Sequence, residues 1–368
     1  MKNFRVWLFA IIIVAFFIGD VFFPAKIFSE SENRYLAQKP EYTWEKLISG
    51  EYAEDYEEYI GDQFIFRDKW MELKVKTEQG FLKKENNDII FGKDGYLFNK
   101  YIKLPERFYN NVDILKSFIK DNEEENIFIA IAPNSYQILK DKAPKGLYNV
   151  DQEKWIQWMK DELNLKENNF MDLYSPLEKH KDEYIYYKTD HHWTTRGAWY
   201  AYEAYSKSAG FLPISEDELD PVYIEDFYGT FYSSSPKGKD SQDKIWYYPS
   251  LDGKAIIDGE EKDSIYDLKY IDGKDKYALF LHNNPGKVLI KSQGQGAKTG
   301  KRLLVFKDSY ANSMIPFLTN HYEEIEVIDL RYYNGRVKDM LEEDWDDILF
   351  LFNFSFFADD SNLLKLKY

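Results

Sequence analysis

Three short apolar runs constrain this chain most: Ile127-Phe128-Ile129-Ala130-Ile131-Ala132, Leu303-Leu304-Val305-Phe306 and Ile348-Leu349-Phe350-Leu351-Phe352. None contains a polar alternate, and each is too short for a typical helix. Such runs are expected of strands buried on both faces. Asn169-Phe170-Met171-Asp172-Leu173 and Glu324-Ile325-Glu326-Val327-Ile328-Asp329 read as two more strands. Helical patterns lie between them. Val112, Leu115, Phe118 and Ile119 share one face, as do Trp155, Trp158, Met159 and Leu163. Thr194-Thr195 caps a helix through about Ser208 that Gly210 ends. Helices are also expected at Tyr310–Leu318 and Asn334–Leu341. Alternating helix and buried strand imply a parallel sheet covered on both sides, an α/β fold of three layers.

Polar residues stand just past each strand: Asn134, Asp172, Ser309, Asp329 with Arg331, and Asn353. Ligands of open α/β sheets bind at the carboxyl ends of the strands. The pattern breaks between about 212 and 300. There Tyr277-Ala278-Leu279-Phe280-Leu281 and Lys287-Val288-Leu289-Ile290 flank a Pro-Gly turn and read as a hairpin within a mostly β insertion. No chemistry is apparent in the insertion itself.

At the N-terminus, Lys2 and Arg5 precede an almost wholly apolar stretch, Val6 to Phe23, interrupted by Asp20. That is just long enough to span a bilayer, and the basic flank places the N-terminus in the cytoplasm. Residues 1–28 are therefore expected to be a membrane anchor, with a cleaved signal peptide as the competitor. Either reading puts the body outside the cytoplasm. Residues 29–95 form a mainly helical connecting region, with a strand, turn and second strand around Phe91–Phe98 at its end. Residues 96–368 form the main domain.

The net charge of −16 disfavours nucleic acid as a partner, since phosphate contacts need clustered basic residues. The chain has no cysteine, which excludes thiol nucleophiles, disulfides and Cys-based metal sites. Of only five histidines, two stand in Thr189-Asp190-His191-His192-Trp193-Thr194. In an extended segment Asp190 and His192 face the same way, so the carboxylate can orient the imidazole, and His191 faces away. Ser309 follows a buried strand and opens a helix. A nearby base would activate it, and the Tyr310 N–H would point where an oxyanion forms. A helix-capping Ser309 or Asp308 explains the same residues without catalysis. Likewise, Asp190 with two histidines is compatible with a charged turn or a metal site. The early Asp-x-Asp ligands of phosphoesterases carrying an Asp-His-His triplet are missing, however, so no metal and no cofactor is expected.

The Asp-His-His-Trp block, together with Lys307-Asp308-Ser309-Tyr310-Ala311-Asn312-Ser313, resembles the DHHW protein family of Gram-positive bacteria. It is similar, more distantly, to the SGNH-type domains of the alginate O-acetylation proteins. Further matches are Glu32-Asn33-Arg34, Asp62-Gln63-Phe64-Ile65-Phe66-Arg67-Asp68, Gly92-Lys93-Asp94-Gly95-Tyr96-Leu97-Phe98 and Ile328-Asp329-Leu330-Arg331-Tyr332-Tyr333. The resemblance implies a Ser309-His192-Asp190 triad on a flavodoxin-like, circularly permuted SGNH sheet. By strand order it implies Asn353 as an oxyanion asparagine beside Tyr310. Lys307 stands where SGNH hydrolases carry glycine, and their glycine oxyanion donor has no counterpart. Asn134 and Arg331 are candidates for substrate binding; an ion pair with Asp329 is the alternative for Arg331. The implied activity is transfer of an acetyl group to a cell-surface polysaccharide, with a polytopic membrane-bound O-acyltransferase as the partner delivering it. A carbohydrate esterase, or a non-catalytic glycan-binding scaffold, would share most of these features.

Overall fold

The computed structural model describes residues 4, 6–11, 13–14, 22, 24–29, 34–80, 84–166, 169–235 and 241–367. Part of the expected anchor, including residues 15–21, and Glu32-Asn33 of the family motif lie outside the described residues. Among the described residues, no helix is long and apolar enough to cross a membrane. The chain forms two compact units: residues 1–87 with 232–238, and residues 88–231 with 239–368. The expected boundary at 95/96 falls instead inside an antiparallel pair, β1 (Ile89–Phe91) and β2 (Leu97–Asn99).

The first unit contains helices Trp44–Ser49, Glu51–Gln63 and Arg67–Gly80. Gly50 separates the first two with φ of 86°, a left-handed turn that glycine adopts without a Cβ penalty. Asp62, from one of the matched motifs, is buried and accepts the Ala37 N–H at 2.8 Å.

The second unit carries the sheet. In chain order its elements are α1 (Arg107–Asp121), β3 (Ile127–Ala132), α2 (Gln152–Leu163), β4 (Phe170–Met171), α3 (Thr195–Ser208), β5 (Val222–Phe227), β6 (Asp243–Tyr247), β7 (Gly253–Ile257), β8 (Glu260–Lys262), β9 (Lys287–Ser292), β10 (Arg302–Lys307), β11 (Glu324–Ile328), β12 (Asp347–Asn353) and α4 (Phe354–Asp359). The eight-stranded sheet runs β8-β7-β9-β11-β10-β12-β3-β4. From β11 to β4 all pairs are parallel; β7, β8 and β9 extend one edge in antiparallel fashion. Counted from β10, the parallel strands lie in the order 2-1-3-4-5. That is the flavodoxin-like arrangement, entered at a different point of the chain.

Alternate residues of each central strand serve opposite faces. Leu303, Val305, Leu349, Leu351, Phe128 and Ala130 join one core with Ala198, Ala201 and Tyr205 of α3. Leu304, Phe306, Ile348, Phe350, Ile129 and Ile131 join the other with Val112, Leu115 and Phe118 of α1, Met159 of α2 and Phe357 of α4. The uninterrupted apolar runs thus follow from burial on both faces.

Three expectations need correction. Tyr277–Leu281 is not a strand: Lys276–Leu279 is a 3₁₀ turn, and β9 pairs with β7 and β11 instead. The expected helix Tyr310–Leu318 is a 3₁₀ turn, Ser309–Ser313, followed by one α-turn, Ile315–Leu318. The helix expected from Asn334 begins only at Val337.

Phe350 sits at the centre of the second core, stacked on Phe306 at 4.8 Å and edge-on to Phe118 at 5.1 Å. Phe350→Ala should cost about 3–5 kcal/mol through lost burial and the cavity left behind. Urea unfolding, compared with the unchanged chain, measures it.

Candidate active site

Ser309 follows β10, and Asn353 ends β12. These two neighbouring strands flank the switch point where the strand order reverses, the usual position of a ligand crevice. Asp308 immediately precedes Ser309 in the chain. It is 1 % exposed; one carboxylate oxygen accepts the Tyr310 N–H at 2.9 Å and the other the Asn353 N–H at 2.7 Å. One buried side chain therefore ties the nucleophile turn to the end of the next strand.

The other half of the site comes from the loop before α3. Residues 185–187 and 192–194 face each other in antiparallel fashion, with a Tyr186–Trp193 bridge and a Thr194 N–H to Ile185 C=O bond of 2.9 Å. The segment between them turns. Asp190 Oδ1 lies 2.6 Å from His192 Nδ1, and His192 Nε2 lies 2.7 Å from Ser309 Oγ. Asp190, His192 and Ser309 are thus joined in one hydrogen-bonded chain, with the acid 2 % and the imidazole 5 % exposed. Trp193 fastens the loop to the serine turn: its indole N–H donates to the Tyr310 carbonyl at 2.9 Å and to Ser313 Oγ at 3.1 Å.

The insertion completes the acid's surroundings. Asp190 Oδ2 accepts from the Thr230 N–H at 2.8 Å and the Thr230 hydroxyl at 3.1 Å. Gly229 must be glycine here, because a Cβ would fall 2.2 Å from Asp190 Cβ. Asp243, also buried, accepts the Lys188 and Thr189 N–H groups, each at 2.8 Å, and fixes the start of the turn. Burial alone would raise the Asp190 pKa. The adjacent His191 and His192, with the donors on its oxygens, outweigh it and hold the carboxyl well below the usual carboxylate range.

Several expected roles are not what the structure shows. His191 does not face away, because the loop turns at its position. Its ring packs on His192 with centroids 3.7 Å apart, and its Nδ1 lies 2.8 Å from Thr230 Oγ1. The Tyr310 N–H is committed to Asp308 rather than pointing at an oxyanion. The Asn353 amide caps α4, its oxygen accepting the Ser355 N–H at 3.2 Å and its nitrogen donating to the Ala132 carbonyl at 3.2 Å. Asn134 donates to Asn353 Oδ1 at 3.1 Å and accepts from Gln152 at 2.7 Å, so it braces strand ends. Arg331 grips Asp329 with two bonds of 2.8 and 2.5 Å. Lys307, in place of the hydrolase glycine, is buried and donates to the same Asp329 and to Asn284, each at 3.0 Å.

Asp190, His191 and His192 bring their ligand atoms within 4.8 Å of one another, a spacing that suits a metal ion. Both ring nitrogens of His192 are already engaged, however, by Asp190 and Ser309. A metal on His192 would displace one of them.

Burial raises the Asp308 pKa to about 6, against the two N–H groups that favour its charge. A carboxyl raised in the folded state binds its proton more tightly there. Its stabilising contribution is present below its ordinary pKa near 4 and is lost as the pH rises through about 6. Asp190, depressed, acts in the opposite sense and only at lower pH. Asp308→Asn should therefore flatten the fall in stability between about pH 4 and 6 by on the order of 2–3 kcal/mol. Denaturant unfolding of both proteins across that range measures the difference.

The DHHW protein family model matches residues 108–328, more than half of the chain. No curated protein sequence matches it. A DHHW family protein from Eubacterium siraeum is similar in structure, with TM-score 0.64 and 26 % identity over 77 % of this chain and 96 % of that one. PatB1 of Bacillus cereus has TM-score 0.57 and 19 % identity over 74 % and 98 % of the two chains. The same protein with a sulfonyl adduct gives 0.59 and 21 % over 77 % and 99 %. With a family model spanning the Asp190–His192 loop, the insertion and the turn at Ser309, this chain belongs to the DHHW protein family.

Proposed function

We propose that the protein is a serine-dependent O-acetyltransferase. It acts outside the cytoplasm on a cell-surface or exported polysaccharide, held at the membrane by residues 1–28. The observation that carries the chemistry is the continuous Asp190–His192–Ser309 hydrogen-bonded chain. The resemblance of the Asp190-His191-His192-Trp193 and Lys307–Ser313 motifs to the alginate O-acetylation proteins supports the substrate class.

His192 Nε2 takes the Ser309 proton as Oγ attacks the acetyl carbonyl. Asp190, kept ionised, holds the imidazole tautomer and offsets the imidazolium charge. The Ser309 backbone N–H makes no hydrogen bond among the described residues and is the donor left for the oxyanion. Collapse expels the donor's leaving group, which receives the proton from His192. A sugar hydroxyl then gives its proton to His192 and attacks acetyl-Ser309. The sugar ester forms, and Ser309 recovers its proton from the imidazolium. Water in place of the sugar would make the outcome hydrolysis. The acetyl donor on this reading is supplied by a polytopic membrane-bound O-acyltransferase partner.

The test is acetyl transfer from an activated acetyl ester to oligosaccharide acceptors by the full-length protein, with intact mass of the enzyme followed in parallel. Ser309→Ala and His192→Ala should each reduce transfer by about 10³–10⁶-fold while melting like the wild type. An acetyl adduct should appear on the wild type and be missing from Ser309→Ala. Transfer that survives in Ser309→Ala overturns the reading; acetate release without any sugar ester makes the protein an esterase.

Gly229→Ala should displace Asp190 and slow acyl-enzyme formation by at least about 100-fold, as a misplaced catalytic group does. Stopped-flow release of the ester's leaving group measures that step.

A further inference from the structure

We propose that Tyr277, supplied by the insertion, is a positioning residue for His192 and Ser309; the inference rests on the catalytic reading above. The Tyr277 ring lies on the His192 imidazole, with centroids 3.8 Å apart and planes 10° from parallel. Its hydroxyl donates to the Ser309 carbonyl at 3.0 Å and to Ser313 Oγ at 3.1 Å. One side chain thus touches the base with its face and the nucleophile turn with its tip. Tyr277 is 4 % exposed, so the stack is shielded from water.

Its placement is enforced locally. Tyr277 stands in the 3₁₀ turn Lys276–Leu279. Leu281, His282 and Asn283 follow with φ of 53°, 55° and 77°, three successive non-glycine residues in the left-handed region. Such residues persist only where their surroundings over-determine them, and they gather at functional sites. The Asn283 N–H returns to the Ala278 carbonyl at 2.8 Å, while the Asn283 carbonyl accepts from Asn312 at 2.9 Å. The strained turn therefore bonds both to the turn that carries Tyr277 and to the turn that carries Ser309.

The chemical consequence follows from the charge His192 acquires. An aromatic face against an imidazole favours the imidazolium through the ring quadrupole. The groups facing His192 are Asp190 and His191 from its own loop, Tyr310 from the nucleophile turn and Tyr277 from the insertion. Asp308 and Asp275 act on the adjacent His191. Of the two rings in closest contact with His192, His191 can itself compete for a proton. Tyr277 offers a face that cannot, and it stabilises the charged base when Ser309 gives up its proton.

The probe is phenylmethanesulfonyl fluoride, which reports serine reactivity without needing the natural donor or acceptor. Sulfonylation of the full-length protein is followed by intact mass from pH 4 to 9. Four proteins are compared: wild type, Ser309→Ala, Tyr277→Phe, and the chain carrying 3,5-difluorophenylalanine at position 277. Tyr277→Phe keeps the ring and loses both hydroxyl bonds. It should lower the plateau rate by about 2–10-fold, with the acid limb unmoved. Difluorination weakens the ring face at nearly constant size. It should move the acid limb about 0.3–0.5 pH unit lower than in Tyr277→Phe, because less support for the imidazolium lowers the pH at which the base is free. A purely structural tyrosine would not produce that displacement. Coincident acid limbs for the two ring variants overturn the inference. Sulfonylation of wild type no faster than of Ser309→Ala would instead remove the nucleophile itself, and the inference with it.

Discussion

The parallel pairing of β10 with β12 on one side and β11 on the other is the constraint on which the site depends. With neighbours departing in opposite directions, the carboxyl end of β10 is where an open α/β sheet places its ligands. Ser309 stands there because the strand delivers it. Asp308 secures it with a single buried carboxylate shared between two backbone N–H groups. That carboxylate is costly to bury, as its raised pKa shows. Its reward is geometric: the nucleophile turn and the end of the adjacent strand cannot separate without leaving a buried acceptor unmatched.

His192 arrives from elsewhere in the chain, and residues of the insertion pack around the loop that carries it. Thr230 and Gly229 close around Asp190, Asp243 holds the turn before it, and Tyr277 lies on His192. Asp190 and His192 are thus enclosed by residues that follow the loop in the chain. An orienting carboxylate needs this enclosure. In water its bond to imidazole would be weak; with buried donors on both oxygens it is held ionised and in place. At the end of β10, Lys307 shares Asp329 with Arg331, so the position where SGNH hydrolases carry glycine is filled here by a paired cation. That pairing leaves the expected substrate contact of Arg331 without a free hydrogen-bonding edge towards Asp329.

Much of this was legible in the chain. The apolar runs of β3, β10 and β12 named themselves as buried strands, and the polar residues past their ends marked the correct edge of the sheet. Asp190 and His192 stood out by their spacing and Ser309 by its place after a strand, and the structure brings the three within hydrogen-bond distance. Tyr277, Gly229 and Thr230 were not. They lie in aromatic, glycine-containing stretches whose composition suits any β-rich segment, and Tyr277–Leu281 even mimicked a strand. The left-handed turn after it is invisible to apolar periodicity, since Leu281 and His282 are not residues that announce a positive φ. The Tyr310 N–H and the Asn353 amide have protein partners that the sequence did not reveal, for a related reason. Which group an N–H or amide serves depends on the nearest acceptor in space, and Asp308 and the first turn of α4 stood closer than any substrate.

The sequence by itself determined the class of fold, and it singled out the strand ends and the residues Asp190, His192 and Ser309 that the structure joins by hydrogen bonds. Apolar periodicity and residue chemistry are local properties, written within a few positions of each other. Only the tertiary structure decided that His192 reaches Ser309, that His191 and Tyr277 enclose the imidazole, and that Asp190 is clamped by the insertion. Apart from His191, which adjoins His192, those contacts join segments from 40 to 117 residues apart in the chain. They are fixed by how strands order themselves in a sheet and how an insertion folds back on it, which no local pattern encodes.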